Sequence, residues 1–231
     1  MSSQPATVRI RIWDAPIRLV HWAMVVLIAI SWWTAENGEL EYHRYSGYTL
    51  LGLLVFRLYW GFAGSSTARF ANFVRGPRAI LAYLKQMPSR VADRSHIATP
   101  GHNPLGALSV IALLALLLTQ VGLGLFAVDV DGIESGPLSH LVSFDTGRDC
   151  AELHEALFDV LLVFIALHVA AVLFYLLYKR DNLIAAMIHG HRSHSAGDSP
   201  RLSFASLPRL LIGIALAGLV VWLVAGGLRL W

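Results

Sequence analysis

Residues 153–169 read LHEALFDVLLVFIALHV, an apolar run with a histidine near each end, His154 and His168. A run this apolar reads as part of a membrane-spanning helix, which needs about 20 residues to cross a bilayer. Fourteen positions separate the two histidines. At about 3.6 residues per turn this is almost four whole turns, so both rings project from one face, with a rise of about 21 Å between them. Ionisable side chains inside a membrane are expensive and usually serve a function. This helix therefore offers two ring nitrogens to one side at two depths. Each asks for a partner at matching depth from another helix.

The rest of the chain fits a membrane setting. Of its 231 residues, 56% are hydrophobic and only 14% are charged, against about 25% charged in soluble domains. Five stretches are long enough to span: Ile17–Ala35, Tyr45–Ala63, Pro104–Val128, Ala156–Tyr178 and Leu210–Leu228. The third carries no charge at all. The first apolar stretch runs past the length of a signal-peptide core and lacks a small-residue cleavage site, so it is expected to remain as a span. There is no long repeat and no low-complexity tract. The expected fold is an all-α transmembrane helix bundle.

Charge orients it. Arg9, Arg11 and Arg18 precede or open the first span, and Arg69, Arg75, Arg78, Lys85, Arg90 and Arg94 fill the loop 64–103. Lys179, Arg180, Arg192, Arg201 and Arg209 follow the fourth span. The other two loops hold Glu36, Glu39 and Glu41, then Asp129, Asp131, Glu134, Asp145, Asp149, Glu152 and Glu155. Basic loops stay cytoplasmic, which predicts a cytoplasmic N-terminus and, with five spans, a periplasmic C-terminus in a bacterial inner membrane. The segregation also removes nucleic acid as a partner, because the net charge of +3 is a sum over opposite faces. Trp32, Trp33, Trp60, Trp222 and Trp231 lie near span ends, where interfacial aromatics are expected. Pro77–Lys85 is expected to lie on the membrane surface as a short amphipathic helix. The stretch His189–Pro200 is expected to be a polar, flexible linker.

Two further histidines answer the pair on the fourth span. His21 lies just inside the first span and His43 just before the second. The alternating direction of the spans puts His21 at the depth of His168 and His43 at the depth of His154. Two imidazoles on opposite sides of a haem iron fill both axial positions, which suits electron transfer rather than oxygen activation. With the single Cys150 and no CxxCH pattern, such a haem is held non-covalently. Copper or zinc is a weaker fit, since the two pairs are separated along the membrane normal. Each histidine taken singly also reads as a core or interfacial residue. Gly47, Gly122 and Gly124 would let a flat macrocycle approach the backbone, or would serve close helix packing. Arg18 and Arg57 are candidates to pair with haem propionates, with snorkelling as the alternative. His102 and Asn103 stand at the entrance of the third span, before Pro104. There a titratable imidazole, an amide and a helix N-terminus would suit a quinone carbonyl, while a plain N-cap by Asn103 is the simpler reading. His189, His191 and His194 form a late cluster that suits a solvated linker better than a metal site.

In combination these stretches resemble the bacterial cytochrome b561 family, in particular its branch of nickel-iron hydrogenase cytochrome subunits. The likeness is carried by Ile12–Trp22, by His43 with Gly47, by Arg57–Gly61, by Phe73–Arg78 and by Gly101–Gly106. It continues through Leu153–Glu155, Leu167–Val169 and Arg180–Leu183, covering about residues 8 to 190. The resemblance implies a four-helix core with two b haems and axial ligands at His21, His43, His154 and His168. A fifth C-terminal transmembrane helix departs from that core. Residues 1–190 are thus expected to form the di-haem domain, and residues 191–231 a linker with an extra helix.

The expected function is to carry electrons across the inner membrane between a periplasmic redox partner and the quinone pool. The partner would be a c-type cytochrome, or a dehydrogenase or hydrogenase subunit, and a homodimer is an allowed assembly. One alternative is a self-contained superoxide:quinone oxidoreductase. Another, of a different class, is a haem-free membrane anchor or transporter, with the histidines and Asp159 as relay groups. The first reading makes the chain an electron-transfer component, the second a quinone-linked oxidoreductase.

Overall fold

A computed structural model describes residues 7–93, 101–131, 134–195 and 202–229. Arg94, Arg201, Trp231 and residues 196–200 of the expected linker lie outside the described residues. The chain opens with strand β1 (Thr7–Arg11) and helices α1 (Ala15–Glu36) and α2 (Leu40–Ala63). Three short helices follow: α3 (Phe70–Phe73), α4 (Pro77–Lys85) and α5 (Met87–Ala92). Next come α6 (Pro104–Phe126), α7 (Phe144–Leu177), α8 (Leu183–His189), β2 (His191–Ser195) and α9 (Leu207–Ala225). α1 packs on α2, α2 on α9, and α6 on both α2 and α7. The chain is a helical, multi-pass membrane protein.

Four helices, α1, α6, α7 and α9, are long and apolar enough to cross a membrane. α2 is as long as these but carries Glu41, His43, Arg44 and Arg57. Its composition is therefore more polar than a lone span, and it lies between α1 and α9 rather than open to lipid on both sides. The large apolar side chains left exposed, among them Leu162, Val163 and Leu167 on α7 and Leu211, Ile214 and Leu219 on α9, form the surface that lipid would cover.

Local chemistry sets the helix starts. Asp14 caps α1 by accepting from the Ile17 N–H at 2.9 Å, with Pro16 in the first turn. Asn103 caps α6 in the same way through the Gly106 N–H at 2.7 Å. α7 starts earlier than expected. Ser143 caps it through the Thr146 N–H, and Asp145 falls in its first turn, where a carboxylate complements the helix dipole. The acidic residues 145–155, expected as loop, are helical, and His154 sits about three turns inside α7 rather than opening it. His43 is likewise within the first turn of α2.

At the basic end, the expected linker begins as structure. β2 pairs antiparallel with β1, with Thr7 opposite Ser195 and Arg11 opposite His191. The Gly190 carbonyl receives the N–H groups of Ile12 at 2.7 Å and Trp13 at 3.1 Å. Gly190 has φ +81°, and a Cβ there would meet the Trp13 carbonyl at 2.7 Å, so glycine is required both by conformation and by space. Trp60 corrects another expectation. It is buried in the core and donates its indole N–H to Asp14 Oδ2 at 2.9 Å, whereas Trp32, Trp33 and Trp222 are exposed as interfacial aromatics should be. α4 has the expected bounds, with no buried residue and with Leu81 and Leu84 outward.

Candidate functional site

The four histidines come together as two pairs. The rings of His21 on α1 and His168 on α7 have centroids 6.5 Å apart. Those of His43 on α2 and His154 on α7 are 6.0 Å apart. An iron bridging two imidazoles through bonds of about 2 Å each, with each nitrogen a further ångström or so from its ring centre, needs centroids roughly 6 Å apart. Both pairs meet that spacing, at two depths set by the fourteen residues between His154 and His168. α7 packs along α6 and makes little direct backbone contact with α1 or α2, so the rings face each other across helices that stand apart. No group of three or more His, Cys, Asp or Glu forms a metal cluster among the described residues.

The donor chemistry also fits a haem. His43 Nδ1 hydrogen-bonds the Ser31 carbonyl at 2.8 Å, and His154 Nδ1 the Gln120 carbonyl at 2.8 Å. A carbonyl only accepts, so both rings carry their proton on Nδ1 and present a bare Nε2 lone pair, the form that binds a metal. Gln120 Nε2 donates in return to the His154 carbonyl at 2.9 Å. Gly124 makes room, since a Cβ there would lie 3.0 Å from His154 Cε1. At Gly47 and Gly122 a Cβ would meet nothing within 4 Å, so bare backbone lies one turn from His43 and beside Gly124. At the other pair, His21 Nδ1 is buried without a hydrogen-bond partner, and the Trp22 ring stands edge-on to it at 5.1 Å.

The remaining expected site residues cluster at the basic end. Arg18 donates to the Ile188 carbonyl, and through Nε to the Asp14 carbonyl at 3.2 Å, so its guanidinium ties α1 to α8. Arg57 is 6% exposed, which snorkelling does not describe. It lies over the Phe70 ring at 4.9 Å. Gly61 permits this, because a Cβ there would collide with Phe70. The His102 ring lies between Trp13 at 5.0 Å and Phe73 at 4.6 Å. Burial, then the charges of Arg57 and His168, push it down to about 4, so it is neutral at physiological pH. Asn103 makes one bond through each polar atom of its amide. Its oxygen caps α6, and its Nδ2 donates to the Tyr175 hydroxyl at 2.7 Å. Of the late histidines, His189 and His191 are held locally, and the side chain of His194 lies outside the described residues. His191 Nδ1 hydrogen-bonds the His189 carbonyl at 2.8 Å.

Sequence reasoning missed Gln120, Trp13 and the Asp14–Trp60 bond. Gln120 was the most findable, as a lone amide within an uncharged span, where an unpaired polar group would be costly.

A family model described as prokaryotic cytochrome b561 matches residues 12–190. A relative from Escherichia coli strain K12, named as a probable Ni/Fe-hydrogenase 1 B-type cytochrome subunit, is 23% identical, covering 80% of this chain and 92% of its own length. Another, from Azotobacter vinelandii, named as a probable Ni/Fe-hydrogenase B-type cytochrome subunit, is 24% identical over 78% of this chain and 87% of its own. No solved structure matches. The matched segment runs from the turn that enters α1 to the glycine that ends α8, and so encloses every paired histidine. A membrane helix bundle with imidazoles facing one another across it, matched over that whole core, is an electron-transferring b-type cytochrome, and the chain belongs to the prokaryotic cytochrome b561 family.

Proposed function

We propose that the chain holds two b haems, one between His21 and His168 and one between His43 and His154, and conducts electrons between them across the membrane. The observation that carries this is the pair of ring separations, 6.5 Å and 6.0 Å, each suited to one iron. Haem supplies the one-electron chemistry, and the protein sets its position and surroundings. α2 crosses as a fifth span, sheltered by α1 and α9, because His43 must reach α7 at the depth of His154. The basic end, with the β1–β2 ribbon, is cytoplasmic by the distribution of Lys and Arg. The acidic end, with Glu36, Glu39, Glu41, Asp145 and Asp149, is periplasmic.

The circuit follows from the two ends. The relatives are named as hydrogenase cytochrome subunits, so a hydrogenase is the partner we place at the acidic end. Quinone exchange belongs at the basic end. An apolar groove there is lined by Ala15, Arg18, Leu19, Trp22, Met187 and Ile188, and Trp22 touches His21. A quinone dissolved in lipid reaches the His21–His168 pair along this groove more readily than past Asn103, whose amide caps α6 and bonds Tyr175, or His102, which is enclosed by two rings.

The test is haem stoichiometry with a reduced-minus-oxidised spectrum of the purified chain. Two haems per chain with low-spin, bis-imidazole signals are expected. One haem, or none, would overturn the reading. Quinol-linked reduction should fall in a Leu19→Trp variant that keeps both spectra, and unchanged turnover there would remove the groove.

A further inference from the structure

The basic end contains a buried cation that forms no ion pair among the described residues. Among the described residues Arg57 makes one hydrogen bond, from Nη1 to the Ala68 carbonyl at 3.5 Å, though a guanidinium has five N–H donors. The ion pairs among the described residues use Arg44, Arg148 and Arg192. Asp14 lies within electrostatic reach of Arg57, but its carboxylate is engaged by the Ile17 N–H and the Trp60 indole. Buried charges persist when they are paired, so Arg57 calls for an anion from elsewhere.

A second unpaired group lies beside it. His102 Nδ1 is buried with no hydrogen-bond partner. Arg57 packs on Phe70 and His102 on Phe73, and those two rings of α3 are 5.8 Å apart. Two nitrogen donors on neighbouring side chains, both shielded from water, match one carboxylate. Its oxygens can take a forked pair of bonds from the guanidinium and one from the imidazole N–H. His168 also acts electrostatically on His102, which puts this donor pair in the neighbourhood of one axial ligand and not of the His43–His154 pair.

We propose that Arg57 and His102 together clamp a propionate of the haem at the His21–His168 pair. This rests on the di-haem reading above. It gives His102 a role in anchoring cofactor instead of in quinone chemistry, and it explains an arginine sunk in the core. A cation held there stabilises the reduced, less positive iron, so the clamp raises the potential of this haem alone.

The test uses purified holoprotein loaded with haem carrying 13C-labelled propionate carboxylates, in wild type and in Arg57→Gln, Arg57→Lys and His102→Gln variants. Redox-difference infrared spectra and potentiometric titration are read together. In Arg57→Gln the labelled carboxylate band should shift, and the midpoint potential of the His21–His168 component should fall with the other unmoved. Arg57→Lys should restore most of the potential, and His102→Gln should give a smaller shift in the same direction. If Arg57→Gln does not fold, the other two variants decide. A labelled band and potentials that stay unmoved would overturn the proposal and assign the cation to another anion, such as a lipid phosphate. A change confined to the His43–His154 component would overturn it equally. A wild-type chain with fewer than two haems would instead strike the di-haem reading beneath it.

Discussion

The His43–His154 pair and the His21–His168 pair have the same chemistry and nearly the same spacing, yet they are held differently. At the acidic end both rings are fixed by backbone carbonyls, from Ser31 and Gln120. At the basic end His21 has no such acceptor and is placed by packing against Trp22. A carbonyl accepting from Nδ1–H makes an imidazole a stronger donor to metal, which favours the more positive iron. His21 lacks that push, and His102, which interacts electrostatically with both His168 and Arg57, links this pair to a buried guanidinium. Both differences act in one direction, so the haem at the acidic end should be the lower in potential and electrons should run downhill toward the basic end. Two sites of identical ligand type can thus be separated in potential by what lies behind each ring.

The largest effect that could break this comparison is loss of a whole haem. His154→Ala should abolish one spectral component and His168→Ala the other, with one haem remaining in each by pyridine haemochrome assay. If His21→Ala and His43→Ala removed the same component, the pairing would be wrong. Next is the packing behind the braced pair. Gly124→Val should force His154 out of register, because even a Cβ lies 3.0 Å from its ring. Overpacking of this kind costs about 1–3 kcal/mol, and occupancy should fall at the His43–His154 site only, as read by component-resolved spectra.

A smaller effect tests how the basic end is supported. Asp14→Ala removes an N-cap and the bond to Trp60. Together these should cost about 2 kcal/mol, read as a lower midpoint of thermal haem loss in detergent. The change should broaden the His21–His168 component and leave the other sharp. The smallest effect is the sharpest check on the brace. Gln120→Leu deletes the amide bond to the His154 carbonyl but keeps the backbone carbonyl that holds Nδ1. It should cost about 1 kcal/mol and leave the lower potential in place. A rise to the level of the other haem would show that the side chain, not the backbone, sets the potential.

The sequence by itself determined a helical membrane protein, the helical interval between His154 and His168, and the segregation of charge. These are one-dimensional properties: apolar length, a fourteen-residue interval against the helical period, and the alternation of basic and acidic loops. The start of α7 was hidden because its first three turns are acidic and look like loop. Only Ser143 at the cap and the dipole reveal them as helix. Tertiary structure alone decided what lies behind each ring. Ser31 is twelve residues from His43, and Gln120 thirty-four from His154. It also decided that Trp60 is core, that residues 191–195 pair with the first strand, and that Arg57 is buried beside His102 instead of reaching for water. Each of these depends on which helices are neighbours and how they are rotated. Burial and hydrogen bonding are properties of that arrangement, and no local pattern of residues records it.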